Sequence, residues 1–159
     1  MRGLRLLAAL SLLLVGGCGF HLQGTNSLPR SLASARVEAV DDQSDFCHGL
    51  RAALLAAGTR LDAEAGDAPV IRIISDGTAD RVLTVSTRNV PTAYELSYHV
   101  RIAVFAGGRE LIAAEDHTLT REYSFDERSL LAKQRERETL AQALADDLVA
   151  LVMRRLATL

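Results

Sequence analysis

The spacing of apolar side chains along this chain predicts its elements one after another. An unbroken run from Leu6 to Val15 comes first, followed by Gly16, Gly17 and Cys18. From Gly19 to Arg30, Gly24, Asn26, Ser27 and Pro29 interrupt any periodicity, and the segment reads as a linker. Arg36 to Val40, with Val37 and Val40 among small and charged residues, predicts a short strand. Ser44 and Asp45 then offer a helix cap. Phe46, Leu50, Ala53, Leu54 and Ala57 recur at helical spacing until Gly58 ends the segment.

Val70, Ile71, Ile73 and Ile74 predict a second strand, apolar on both sides as in a sheet covered on both faces. Arg81 to Thr87 alternates, with Leu83 and Val85 on one side and Val82, Thr84 and Ser86 on the other, before Asn89-Val90-Pro91-Thr92 breaks it. The clearest pattern follows. Tyr94, Leu96, Tyr98, Val100, Ile102 and Val104 alternate with Glu95, Ser97, His99 and Arg101, the period of a half-buried strand. Gly107-Gly108 predicts a hairpin turn, with Glu110 to Tyr123 returning antiparallel. Asp126 or Ser129 opens a final helix whose apolar stripe is Leu140, Leu144, Leu148, Leu151 and Val152, with Arg154 and Arg155 near the negative end of its dipole. The fold class is therefore α+β, an about four-stranded mixed sheet in the order β-α-β-β-β-α with both helices packed across one face.

The first residues add a destination. Arg2 and Arg5, an apolar core too short to span a bilayer as a mature helix, and two small residues form an export signal. Because the small residues lead directly into Cys18, the segment resembles the lipobox of bacterial lipoproteins, with Val15 where Leu is commonest. Residues 1–17 would then be cleaved, Cys18 would carry the lipid, 18–30 would be the linker and 31–159 a single domain. Each buried methylene of such an anchor contributes ~0.8 kcal/mol, so several acyl chains hold firmly. Gly19 follows the cysteine, where Asp would favour retention in the inner membrane, so the resemblance to bacterial lipoproteins implies the outer membrane, periplasmic side.

Charge narrows the function. Cleavage removes two arginines and no acid, taking the net charge from −2 to −4. An acidic domain without a basic-aromatic platform is no nucleic-acid binder. Cys47 has no disulfide partner once Cys18 is acylated, and reads as a small buried or half-buried side chain. His21, His48, His99 and His117 form no metal-ligand pair at helical or hairpin spacing, although His99 and His117 could be cross-strand neighbours. In Glu115-Asp116-His117 the last two side chains diverge on a strand. No glycine-flanked nucleophile elbow and no phosphate-cradling glycine loop occurs. The expectation is a protein that is not an enzyme, with no cofactor and no metal. Arg88, beside the Asn89-Val90-Pro91 turn, and Lys133, at the start of the last helix, sit where loops present cations to a ligand. Arg135, Glu136, Arg137 and Glu138 read as a solvated, self-compensated helix face.

Three segments together resemble the LPS-assembly lipoprotein LptE family: Cys18-Gly19-Phe20-His21-Leu22-Gln23-Gly24, Arg88-Asn89 with Thr92-Ala93-Tyr94-Glu95, and Leu131-Ala132-Lys133-Gln134-Arg135-Glu136. Gln23 stands where the family commonly has Arg. The resemblance implies a plug inside the lumen of an LptD-type outer-membrane β-barrel that assists barrel assembly and binds lipopolysaccharide. By matching position, Arg88 and Lys133 correspond to its lipopolysaccharide-binding cations, facing the phosphates of lipid A. A charged fraction of 24% with 4% aromatic residues suits a wetted plug. The competing expectation is an accessory outer-membrane lipoprotein that scaffolds a different envelope complex, since fold alone does not select function.

Overall fold

A computed structural model describes residues 28–61, 66, 68–124 and 130–159, with the side chains of the last helix described from residue 134 onward. The predicted signal, Cys18, His21 and most of the linker lie outside the described residues. So do the predicted helix caps Asp126 and Ser129. Leu28, at the end of the linker segment, already packs against the core, ahead of a single 3-10 turn at Arg30–Leu32.

The elements are β1 (Ser34–Ala39), α1 (Asp45–Ala56), β2 (Arg60–Leu61), β3 (Val70–Val85), β4 (Pro91–Ala106), β5 (Arg109–Ser124) and α2 (Leu130–Leu156). They form a five-stranded sheet in the order β2-β1-β3-β4-β5. Strand β1 runs parallel to β2 and β3, and β3, β4 and β5 are antiparallel. The α+β mixed sheet matches the expectation, with β2 as an additional two-residue strand. The stretches 70–74 and 81–87, read separately from the pattern, belong largely to one 16-residue strand, because polar Ser75 to Asp80 between them still pairs throughout with β4.

Strand β4 explains why one face is core. Leu96, Tyr98, Val100, Ile102 and Val104 are all buried, while His99 and Arg101 on the alternate positions are exposed. Helix α1 sets Phe46, Cys47, Leu50 and Leu54 onto that face, and α2 sets Ala141, Leu144, Ala145, Leu148, Val149, Val152, Met153 and Leu156 there. The stripe on α2 is broader than the leucines alone, and Leu151 is only half-buried. The other sheet face is open and polar. Ion pairs Arg72–Glu38 (3.0 Å), Arg81–Glu95 (2.9 Å) and Arg101–Asp116 (3.7 Å) tile it, and Arg72 lies over the Phe105 ring at 5.1 Å. The doubly covered strand expected at Val70–Ile74 is therefore absent. Ile71 and Ile73 are buried, while Ile74, on the alternate face of the strand, is 37% exposed. Val40 likewise falls just past β1 and is exposed.

Local signals set the ends. The Ser44 hydroxyl caps α1 by accepting from the Cys47 N–H at 3.1 Å. At the other end Gly58 has φ 88°, its N–H donates to the Leu55 carbonyl, and the Thr59 N–H donates to the Leu54 carbonyl. That is a Schellman stop, which needs the left-handed residue that glycine supplies. Gly107 and Gly108, at φ 55° and 75°, make the tight β4–β5 hairpin the sequence predicts.

Candidate functional site

Arg88 lies at one end of the sheet, and of Lys133 only the backbone is described. Arg88 sits in the turn joining β3 to β4. The Ser86 hydroxyl accepts from the N–H groups of Arg88 and Val90, both at 3.3 Å. The Ser86 N–H donates to the Val90 carbonyl at 2.7 Å, and the Asn89 N–H donates to the Ser86 carbonyl at 2.9 Å. Asn89 adopts φ 61°, a conformation that asparagine tolerates better than most side chains. The turn thus presents Arg88, which is exposed, at a defined apex.

Lys133 belongs to the first turn of α2, whose position follows from what the helix touches further along. Near its end, the Arg155 guanidinium donates to both Glu115 carboxylate oxygens, at 3.0 and 3.3 Å from Nε and 2.7 Å from Nη2. In the middle, Arg121 of β5 bonds Asp147 at 2.9 Å. Near the start, Arg137 bonds Asp80 at 2.8 Å and Thr78 at 3.1 Å. Successive contacts from Glu115 to Arg121 to Asp80 show α2 running back along β5 toward the β3–β4 turn. The backbone of Lys133 is one helical turn beyond Arg137, about 6 Å nearer that turn. From Asp80 to Val85 the strand advances about 17 Å toward it. The first turn of α2 thus lies on the β3–β4-turn side of Asp80, short of the turn that carries Arg88. The two are separated by more than one side-chain length.

A cluster that the sequence reading missed fixes this arrangement. Asp80 accepts from Arg137 through one oxygen and from the Tyr123 hydroxyl, at 3.0 Å, through the other. Tyr123 is buried and stacks on Tyr94 with centroids 5.4 Å apart. Burial, with the Asp80 bond and charge added, pushes the Tyr123 hydroxyl up to about 12, so it remains a donor across the physiological range. Arg137 is therefore not part of a self-compensated outer face. The signal for this was present: residue 137 lies four before Ala141 and seven before Leu144, in line with the buried stripe.

The histidines behave otherwise than a metal pair. His99 pairs in register with Gly77 and Thr118 on the open face, whereas His117 pairs with Val100 on the covered face, so the two are not cross-strand neighbours. Asp116 and His117 diverge as the strand period requires, with Asp116 reaching Arg101 across the open face. Glu115 and His117, two residues apart, do share a face, at 3.5 Å. The hydrogen bonds from Arg155 hold the Glu115 carboxyl below the usual carboxylate range. Cys47 is fully buried and unpaired, and burial pushes its thiol up, against the pull of Arg51, as suits a packing residue.

One open groove lies between the start of α1, β3 and α2, lined by Asp41, Ser44, Asp45, Asp76, Thr78, Tyr98 and Arg137 among others. Ser44 donates to Asp76 at 2.5 Å, and burial raises the Asp76 carboxyl against that bond. The hydroxyl is committed twice, as helix cap and as donor to a carboxylate, and His99 is on the opposite sheet face. No nucleophile-base-acid relay forms among the described residues. Among them, too, no three His, Cys, Asp or Glu side chains are placed to hold a metal ion, and no helix is long and apolar enough to cross a membrane.

Comparison with known proteins bears on the same chain. Residues 25–156 match the family model LptE, described as lipopolysaccharide-assembly. The LPS-assembly lipoprotein LptE of Yersinia enterocolitica is 27% identical over 157 residues, covering 98% of this chain and 75% of that protein. The protein of the same name from Yersinia pestis is 27% identical over 159 residues, covering 99% and 76%. The crystal structure of the rare lipoprotein B from Shewanella oneidensis is similar at a TM-score of 0.71 and 26% identity, covering 79% of this chain and 94% of that one. The solution structure of lipoprotein B from Nitrosomonas europaea, 23% identical with a TM-score of 0.72, shares the fold over 87% of this chain and 90% of its own.

Proposed function

The chain belongs to the LptE family of lipopolysaccharide-assembly lipoproteins, a family without enzymatic activity, and from that premise we propose that it plugs and helps assemble an LptD-type outer-membrane β-barrel while binding lipopolysaccharide during insertion into the outer leaflet. In this reading residues 1–17 are removed, acylated Cys18 tethers the chain to the outer membrane, and the domain faces the periplasm. Arg88 and Lys133 are the lipopolysaccharide contacts.

The observation that supports the reading is that the Arg137–Asp80–Tyr123 cluster directs the first turn of α2 toward the end of the sheet whose β3–β4 turn carries Arg88. A guanidinium grips a phosphate with two hydrogen bonds, and an ammonium adds a mobile point charge. Their separation suits a ligand with two anionic groups rather than one shared phosphate. The open sheet face, tiled by its own ion pairs, suits a protein enclosed by water and polar barrel wall. Helix α2 supplies a rigid support for Lys133, because its stripe is buried from Ala141 to Leu156.

Charge reversal at both positions tests the assignment. Arg88→Asp with Lys133→Asp is expected to weaken lipopolysaccharide capture by about tenfold or more, given ~1.5–3 kcal/mol for a charged hydrogen bond, with an unchanged circular dichroism spectrum and unchanged melting. Full capture by the folded double variant would sink the assignment.

A further inference from the structure

Strand β5 closes one side of the sheet, and among the described residues no strand pairs with its outer edge. From Glu115 to Ser124 its pairing with β4 is unbroken, so this stretch turns about half of its N–H and C=O groups outward in register. No proline and no bulge interrupts it, two of the devices that usually spoil such an edge. Its faces are distinct. Glu115, His117, Leu119, Arg121 and Tyr123 share the covered face with α2, and Asp116, Thr118, Thr120 and Glu122 share the open one. On the covered face stand two charges of opposite sign, each tied to α2: Glu115 to Arg155 at 2.7 Å, and Arg121 to Asp147 at 2.9 Å. Between them, Leu119 of the strand and Leu151 of the helix are only half-buried.

We propose that this edge pairs with itself, joining two copies of the chain in one continuous sheet about a two-fold axis at Thr118. An axis normal to the sheet keeps the helices of both copies on one side, and facing residues then come from the same face. With the axis at Thr118, Glu115 of each copy faces Arg121 of the other, Asp116 faces Thr120, and Thr118 faces itself, with no like charges opposed. Neighbouring positions lose this match. An axis at Leu119 sets Asp116 against Glu122, and one at Asp116 sets that carboxylate against its own copy. An axis at His117 leaves Glu115 and Arg121 facing Leu119 and Ala113. The helices agree with the strands. Asp147 and Arg155 lie on one side of α2 with Leu151 midway between them, so the same axis sets Asp147 opposite Arg155 of the second copy and brings the two Leu151 side chains together. Because α2 lies over both β4 and β5, the two α2 helices would stand about two strand spacings apart, ~10 Å, an ordinary distance for packed helices. Charges alternate in sign around a leucine centre. The inference does not rest on the lipopolysaccharide reading.

Cysteine placement in the full-length chain, oxidised in isolated membranes, tests both the contact and its register. Asp116, Thr118 and Thr120 are exposed on the open face, so each accepts a cysteine without disturbing the core. Facing strand positions have Cα atoms about 4.5–5.5 Å apart, within reach of a disulfide. Thr118→Cys alone should give a species of twice the chain's mass that reductant abolishes. Asp116→Cys and Thr120→Cys should each fail alone and cross-link when the two variants are co-expressed. The parent chain, in which Cys47 is fully buried, supplies the background. Alkylation of the folded variants by a small maleimide checks that each new thiol is reachable. Arg121→Glu sets two carboxylates against each other on both sides of the axis and should lower the Thr118→Cys yield about tenfold at equal expression. A reachable Thr118→Cys thiol that gives no doubled species overturns the inference. So does equal cross-linking at all three positions, which collision without register would give, and so does a Thr118→Cys yield that ignores Arg121→Glu. A cross-link from Thr118→Cys to a protein of different mass would assign the edge to another partner and overturn self-pairing.

Discussion

Gly49 sits in the middle of α1, where the helix touches α2, and substituting it sets two known effects against each other. Alanine is the better helix former by ~0.8–1.0 kcal/mol. Against this, a Cβ on residue 49 would lie 3.1 Å from Cγ2 of Val149, closer than ordinary van der Waals contact. Val149 is 8% exposed, and in a helix a valine keeps essentially one rotamer, so its methyl cannot swing aside. The helices must separate instead, over an interface that also buries Phe46, Cys47, Leu50, Ala145 and Val152. Overpacking of this kind costs ~1–3 kcal/mol. The clash offsets or outweighs the propensity, and Gly49→Ala should destabilise by about 0–2 kcal/mol, the difference of those two ranges. In a Val149→Ala background the obstructing methyl is gone, and the same change should stabilise by about 1 kcal/mol. Urea unfolding of the four proteins, followed by circular dichroism, gives the double-mutant cycle. A Gly49→Ala effect of the same sign and size in both backgrounds would refute the reasoning, since only the contact with Val149 distinguishes them.

At the turn, Asn89→Gly should change stability by no more than a few tenths of a kcal/mol, whereas Asn89→Val, forced to φ 61°, should cost ~1–2 kcal/mol locally. The valine variant should also lose lipopolysaccharide capture while Arg88 is still present, which a capture assay beside Arg88→Asp would detect. Glu115 sets a pH dependence. Its carboxyl is held below the ordinary value of 4.5 in the folded chain, first by the Arg155 hydrogen bonds, so its contribution is present above that value and lost as pH falls through the folded one. Glu115→Gln should therefore lower Tm at pH 7 by an amount that shrinks as pH falls below 4.5, and a difference that stays constant through the acid range would contradict the assignment.

Much of this was legible in the sequence, for identifiable reasons. Strand β4 announced itself because one face is core and the other water, so its alternation is complete from Tyr94 to Val104. Helix α1 was bounded correctly because its stops are chemical: a serine cap and a left-handed glycine. Where the pattern misled, an open sheet face or a long-range partner had intervened. The apolar quartet Val70, Ile71, Ile73 and Ile74 looked doubly buried although only Ile71 and Ile73 reach the core, and the continuity of β3 through Ser75 to Asp80 depends on β4 alongside it. Short strand β2 carries no periodicity of its own and exists through β1. The sequence offered Arg88 and Lys133 by position and family likeness, but not the cluster that ties the start of α2 to β3. Asp80, Tyr123 and Arg137 are separated by 43 and 57 residues from Asp80, and only the folded chain brings them together.

The most direct test of the plug reading is an affinity pull-down of the full-length chain from solubilised outer membranes, with every co-purifying protein identified by mass. The account predicts a stoichiometric large β-barrel protein. A correctly localised, intact chain that repeatedly brings down none would contradict it.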